Sequence, residues 1–265
     1  MLPNSQPANP THGGTAASKT LCHILKYPQS IIPTMAEIKV LLDNLDLLTY
    51  PDTMVKVKGE IPGLAFFPGG KGTFDNKFSL TNKNIMVLGQ DFDSEKNYET
   101  SLQNGCEDIA RNPTWRNLIA FLNEIQVSGN NCFFTNAIMG VRKGSNSTGK
   151  SPAFKDKVFI KECERFFLRQ IEIQKPKVIF ALGKYVAEFL SSTSDELTDW
   201  SKLKNFAEID GNNMQIKRNI NFKNGIKSNV VILTHPSFRP SNIHRRSYGV
   251  YSGHEAEIMM ARAVL

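Results

Sequence analysis

The chain has 265 residues, 40% of them hydrophobic and 22% charged, with a mean hydropathy of −0.29. That balance is too apolar for a disordered chain and too polar for a membrane bundle, and no stretch approaches the roughly 18 to 20 apolar residues that span a bilayer. The net charge of 32 − 25 = +7 suits a polyanionic partner without demanding one.

Residues 1–20 are rich in Pro, Asn, Gly, Ser and Thr and read as a disordered tail. The N-terminus lacks the charged-then-apolar pattern of a signal peptide, so an intracellular, cytoplasmic protein is expected. Met35 to Leu48 places Ile38, Leu41, Leu42, Leu45 and Leu48 at helical spacing. Residues 50–82 carry no clear period; within them, the glycine-rich run from Phe66 to Phe74 suits either a lid or a packed loop. Ile85–Leu88 is a short apolar strand ending at Gly89, Trp115–Ile125 is helical, and Cys132–Thr135 is a second strand. A Gly/Ser/Lys-rich loop follows, then a long amphipathic helix from Lys155 to Gln174. Val178–Leu182 is a third strand, Lys184–Leu190 a helix, and residues 192–228 look like an insertion with turns. Val230–Leu233 is a fourth strand. Ser252 and Glu255 have capping-box spacing before a last helix over Ala256–Val264.

Short apolar strands alternating with helices predict an α/β protein: a three-layer α/β/α domain over residues 35–265 with a central, mostly parallel four-stranded sheet. The cysteines at 22, 106, 132 and 163 form no C-x-x-C pair. They read as small buried or partly buried thiols rather than a zinc ribbon or a disulfide framework.

In an open parallel sheet, ligands bind beyond the carboxyl ends of the strands. The four strands deliver there Gly89-Gln90-Asp91, Asn136, Gly183 and His235-Pro236-Ser237. Each residue alone is ordinary turn or cap chemistry. An Asp, an Asn and a His on one rim are an acid-base and hydrogen-bonding set.

These residues carry a resemblance. Over roughly residues 83–250 the chain resembles the uracil-DNA glycosylase superfamily. Leu88-Gly89-Gln90-Asp91 is similar to the first motif of the family-1 enzymes, and His235-Pro236-Ser237 to their second. Phe133-Phe134-Thr135-Asn136 resembles the strand whose terminal Asn reads the base. Cys163-Glu164-Arg165-Phe166, with Pro176 through Gly183, is similar to the family-4 helix and strand. The resemblance implies a DNA glycosylase that flips a base and hydrolyses its N-glycosidic bond, on uracil or a modified pyrimidine, in repair or in attack on foreign modified DNA. Asp91 would orient water and stabilise the sugar cation, and His235 would donate to the departing base. Asn136, with Gln90, Asp93 and Tyr98, would contact the base, Tyr98 and Trp115 being the candidates for stacking. Ser237, Arg239, His244, Arg245 and Arg246, with Arg142, Lys143 and Lys150, would contact DNA phosphates. A monomer with no membrane association is expected.

Two departures refine this. Where the family-1 motif has a pocket-closing tyrosine, this chain has Asp93, smaller and charged, so a pocket admitting larger or more polar bases is expected. Family-4 enzymes hold an iron–sulfur cluster on four cysteines. Cys163 matches the last of these, but Gly140 or Val141 stands at the third, and there is no C-x-x-C, so neither cluster nor other cofactor nor metal is expected. Two alternatives remain. One is a catalytically silent DNA-binding module on the same fold. The other is a nucleotide hydrolase, because Gly144 to Ser151 fits G-x-x-x-x-G-K-[ST]. Against the second, Arg142 and Lys143 separate the loop from any apolar stretch, and Pro152, Ala153 and Phe154 separate it from the next helix.

Overall fold

A computed structural model of the chain describes residues 35–57, 61, 65–70, 72–73, 83–107 and 111–265. The tail expected over residues 1–20 lies outside them. In chain order the elements are α1 (Met35–Asp46), β1 (Met54–Val55), β2 (Ile85–Gly89), α2 (Glu95–Asn104), α3 (Pro113–Glu124), β3 (Cys132–Asn136), β4 (Val141–Arg142), α4 (Lys157–Gln174), β5 (Val178–Leu182), α5 (Lys184–Leu190), α6 (Phe206–Gly211), β6 (Ile216–Asn221), β7 (Lys227–Leu233), α7 (Arg239–Asn242), β8 (Ser247–Tyr248), β9 (Tyr251–Ser252) and α8 (Gly253–Arg262).

The central sheet has the order β3-β2-β5-β7-β6. The first four strands are parallel and aligned, pairing Gly89 with Asn136, Leu88 with Ala181 and Leu182 with Leu233. β2, β3 and β5 are buried along their whole length, which explains their unbroken apolar sequences. Alternation still sorts their side chains. Met86, Leu88, Phe133, Ile179, Ala181, Val230 and Ile232 join Leu41 of α1, Phe159 and Phe167 of α4 and Val186 of α5 in one core. Ile85, Val87, Phe134, Val178, Phe180, Val231 and Leu233 pack on the other side with Trp115 and Phe121 of α3 and Met260 of α8. The expected α/β fold with a mostly parallel sheet is therefore present.

The sheet has five strands rather than four. β6 pairs antiparallel to the outer edge of β7, with a register shift between Lys217 and Ile220. Its sequence, IKRNIN, is partly exposed and mostly polar, because an edge strand needs an apolar face only where it meets the core. The stretch read as an insertion, residues 192–228, thus contributes a strand, α6 and a buried tryptophan. Trp200 is fully buried and donates from Nε1 to the Met214 carbonyl.

The helix signals hold with one correction. α4 is capped by Asp156, whose carboxylate accepts from Val158 and Phe159 N–H. Ser252 is the N-cap of α8 but makes no side-chain capping bond; it sits in β9, paired with Ser247, so no capping box forms. Trp200→Ala is expected to cost about 3–5 kcal/mol of folding free energy, read from urea denaturation midpoints, because it empties a large buried site and orphans the Met214 carbonyl.

Candidate active site

The carboxyl ends of β2, β3, β5 and β7 finish on one edge because their registers match. The segments leaving β2 and β3 then run side by side. Ala137 N–H donates to Gly89 O, Ile138 N–H to Gln90 O, Phe92 N–H to Gly140 O and Arg142 N–H to Asp93 O. This zipper carries Arg142 to Asp91. Its Nε lies 2.7 Å from Asp91 Oδ2, and both side chains are almost wholly buried. Nη1 and Nη2 donate to the Thr148 and Gly149 carbonyls at 2.7 and 3.1 Å. Burial pushes the Asp91 carboxyl above the ordinary carboxylate range, while Arg142, the Ser151 hydroxyl and the Asp93 N–H pull it back.

Asn136 ends β3, buried, with its amide against β2. A Cβ on Gly89 would stand 2.2 Å from Asn136 Oδ1, so only glycine lets the amide dock there. The half-buried Phe66 ring meets the same point, 3.3 Å from that absent Cβ. It packs on Trp115 and Phe134 at centroid distances of 4.9 and 6.0 Å. Phe66 arrives because its segment follows β3: Phe67 N–H donates to Phe134 O, and Phe134 N–H to Gly72 O. Gly72, at φ 68°, lies so close that a Cβ would stand 2.8 Å from the Phe134 carbonyl. The aromatic–glycine run at Phe66 was visible in the sequence. Its place beside Asn136 was not, since it depends on a pairing across more than sixty residues.

His235 follows β7, half-buried, with Nδ1 2.9 Å from Ser237 Oγ. Among the described residues Nε2 has no hydrogen-bond partner. Burial, and then the positive charge of Arg142, lower its pKa to about 4, so the imidazole is neutral at physiological pH. That Arg142 acts on both Asp91 and His235 ties the two into one electrostatic site.

Several predicted site residues sit elsewhere or are otherwise engaged. Arg246 is 1% exposed, with Nε and Nη2 on the Asp210 carboxylate at 2.8 and 3.0 Å and Nη1 on Glu257 at 2.6 Å. It cannot reach a phosphate. Arg239 is paired with Glu257, contacts His254 and lies over the Phe121 ring, so its charge is already spent. Arg142, 4% exposed, serves Asp91 instead of phosphate. Asp93 is exposed with φ 67°, and its carboxylate accepts from Ser94 N–H and Asn97 Nδ2 at the start of α2, not from anything near Asn136. Tyr98 is buried on α2 with its ring edge-on to Phe92, part of the core rather than a stacking platform. Gln90 donates to the Gly149 carbonyl and accepts from Ser151 N–H, pinning the following loop over the site. Ser237 contacts His235. Lys143, His244 and Arg245 are exposed, as a phosphate contact requires.

Gly144 to Ser151 does not wrap a helix N-terminus. It leads into a short 3-10 turn at Pro152–Lys155, and Lys150 pairs with Glu188 at 2.5 Å. A cavity of about 740 Å³ lies along this loop, lined by Arg142, Lys143, Lys150, Ser151 and Lys155 among others. It borders the site through Arg142 and Ser151, whereas Asn136 and His235 do not line it. Cys106, Cys132 and Cys163 are free thiols, and no group of three potential metal ligands occurs among the described residues. Among those residues no helix is long and apolar enough to cross a membrane.

Aligned parallel strands of an α/β fold thus bring a carboxylate, a carboxamide and a neutral imidazole to one sheet edge. The family model for the uracil DNA glycosylase superfamily matches residues 76–248, and the chain belongs to that superfamily. The superfamily generally comprises DNA glycosylases, hydrolases that act on DNA in base excision and repair. A search of curated proteins found no match.

The lowered His235 pKa has a stability signature. Between pH 6.5 and about 4 the unfolded chain binds a proton at this residue that the folded chain does not. Its contribution is therefore constant above that window, falls as the pH drops through it and levels off below, by at most about 3 kcal/mol. Urea midpoints between pH 8 and 4 are expected to fall more for wild type than for His235→Asn.

Proposed function

We propose that this protein is a DNA glycosylase that takes a base, uracil or a modified pyrimidine, out of the helix and hydrolyses its N-glycosidic bond. The observation that carries the reading is the docking of the Asn136 amide on Gly89 beside Phe66, on the same sheet edge as Asp91 and His235. A carboxamide offers one donor and one acceptor, which suits the Watson–Crick edge of an extruded pyrimidine. The half-buried Phe66 ring offers a flat apolar face on which a base can stack.

The chemistry follows from charge. As the C1′–N bond lengthens, the electron pair leaves with the base and positive charge grows on the sugar. Ionised Asp91 stabilises that cation and orients the water that adds to C1′, whose proton passes to the carboxylate or to solvent. With Nδ1 accepting from the Ser237 hydroxyl, neutral His235 carries its proton on Nε2 and donates that hydrogen bond to the base anion. Neutrality is an advantage here, because nothing on the ring has to be deprotonated at physiological pH. The products are the free base and an abasic sugar in an intact strand.

Arg142 opposes the burial that raises the Asp91 carboxyl, and so favours its ionised form. In this reading Lys143, His244 and Arg245 contact backbone phosphates, a role that their exposure supports. Because the Asp93 carboxylate is tied to α2 and exposed, it does not act as a wall where a tyrosine closes the pocket in family-1 enzymes. That supports tolerance of larger 5-substituents. The alternative, a silent DNA-binding module, draws its support from the same ion pair, since Arg142 occupies one oxygen of Asp91.

The deciding experiment is mass spectrometry of bases released from uracil-containing, unmodified and 5-modified DNA. Base release is expected from wild type and to fall by about 10²–10³-fold in Asp91→Asn, with DNA binding retained. Release of uracil would indicate repair, whereas release from modified DNA alone would indicate action against foreign DNA. No release from any DNA, with binding intact in both proteins, would favour the silent module. In Arg142→Gln the acid limb of the activity profile is expected to move to higher pH, since a guanidinium that lowers the Asp91 pKa is lost. Lys143→Ala and Arg245→Ala are each expected to weaken DNA binding and reduce its logarithmic salt slope by about one, measured by fluorescence anisotropy.

A further inference from the structure

The largest buried charge cluster of the described residues lies behind His235, and the proposed reaction does not use it. Glu257, on α8, is fully buried. Its Oε1 accepts the backbone N–H of Thr234, the residue before His235, at 2.5 Å and Arg246 Nη1 at 2.6 Å. Its Oε2 accepts from Arg239, four residues after His235. Arg246 also binds the Ile232 carbonyl at the end of β7, at 2.9 Å, and is held from its other side by Asp210. On the opposite flank Asn117 of α3 donates to the Pro236 carbonyl at 2.8 Å. Arg239 reaches His254, which pairs with Glu124 at the end of α3. Asp210, Glu257, Arg239 and Arg246 balance at zero net charge.

A short segment after a strand has few backbone bonds of its own, and here the carboxylate supplies them from outside. Such a charged cluster, fully desolvated, is weak support for stability compared with apolar packing of the same volume. Its geometry is specific, however: every grip falls within four residues of His235.

We propose that Glu257 is a positioning residue for the His235–Ser237 segment, gripping the backbone before it and Arg239 after it, so that the imidazole keeps one position and orientation at the sheet edge. This rests on the reading that His235 meets the departing base. It also reassigns Arg239, which the sequence suggested as a phosphate contact, to holding the loop.

The test uses Arg239→Gln and Glu257→Gln with the full chain. Glu257→Gln leaves Arg246 partly unpaired in the interior and is prone to unfolding. Arg239 is partly exposed and its replacement leaves the Arg246 pairs intact, so Arg239→Gln carries the test if Glu257→Gln does not fold. The first readout needs no substrate: ¹⁵N-histidine labelling with the His235 signals assigned by their loss in His235→Asn. We expect the wild-type ring to titrate near pH 4 and to give one set of signals. In Arg239→Gln the midpoint should move up by a unit or more toward 6.5, or the ring signals should broaden or split, with restoration in Arg239→Lys. An unchanged His235 spectrum in a folded but less stable Arg239→Gln would overturn the proposal and leave the cluster a purely structural device.

The second readout is base release from whichever DNA the wild type cleaves. There we expect kcat to fall about 10- to 100-fold with KM changed less than threefold, since misplacement of a reacting group costs turnover rather than binding. A raised KM with unchanged kcat would show Arg239 touching phosphate and would also overturn the proposal. If wild type releases no base from any DNA, the glycosylase reading fails, and the ring spectra still decide whether Glu257 fixes His235.

Discussion

The alignment of four parallel strands is the constraint on which the rest of the structure depends. A buried parallel ladder must satisfy its backbone groups strand by strand, and the pairings of Ile85 with Cys132, Ile85 with Val178 and Val178 with Asn229 leave β2, β3, β5 and β7 ending nearly level. Groups separated by up to 144 residues in the chain, Asp91 and His235, thereby reach one edge. The same alignment sets Gly89 opposite Asn136, where the missing side chain of one makes room for the amide of the other.

Charge burial is the second organising fact. Two separate ionic systems are buried among the described residues: the Asp91–Arg142 pair under the loop at residues 143–151, and the cluster of Asp210, Glu257, Arg239 and Arg246 behind β7. Each is matched in sign, as the cost of an uncompensated buried ion requires. The first bears on titration, because Arg142 pulls the Asp91 carboxyl back from the rise that burial imposes and adds to burial in lowering the His235 pKa. The second bears on geometry. The three arginines of these systems, Arg142, Arg239 and Arg246, belong to stretches that look, by composition, like surface patches for nucleic acid. The net charge of +7 therefore overstates the free positive charge at the surface near the site, where Lys143 and Arg245 are exposed.

Much of the fold was legible because its signals are local. The apolar runs at Ile85, Cys132, Val178 and Val230 are short and unbroken because each strand is covered on both faces. The helices at 113–124 and 157–174 show their period because one stripe of each meets the core. β6 escaped because an edge strand of sequence IKRNIN shows neither an apolar run nor strict alternation. The capping-box spacing at Ser252 misled because spacing fixes only the residue types: Ser252 is the N-cap, yet its side chain makes no capping bond.

The residue types at the strand ends, Asp91, Asn136 and His235, were determined by the sequence alone, since chain order and strand termini are properties of the linear pattern. What each side chain faces was decided only by tertiary structure. Arg142 and Arg246 read alike in the sequence, as cations in polar loops, and both are buried because partners 51 and 36 residues away lie across the fold from them. Phe66 and Tyr98 are both aromatic and near motifs, yet only Phe66 borders Gly89 and Asn136, because its segment pairs with β3 while Tyr98 points from α2 into the core. Local pattern reports which residues want burial or a helix. The pairing of charges and the docking of rings are long-range contacts, and their energies exist only once the strands are aligned.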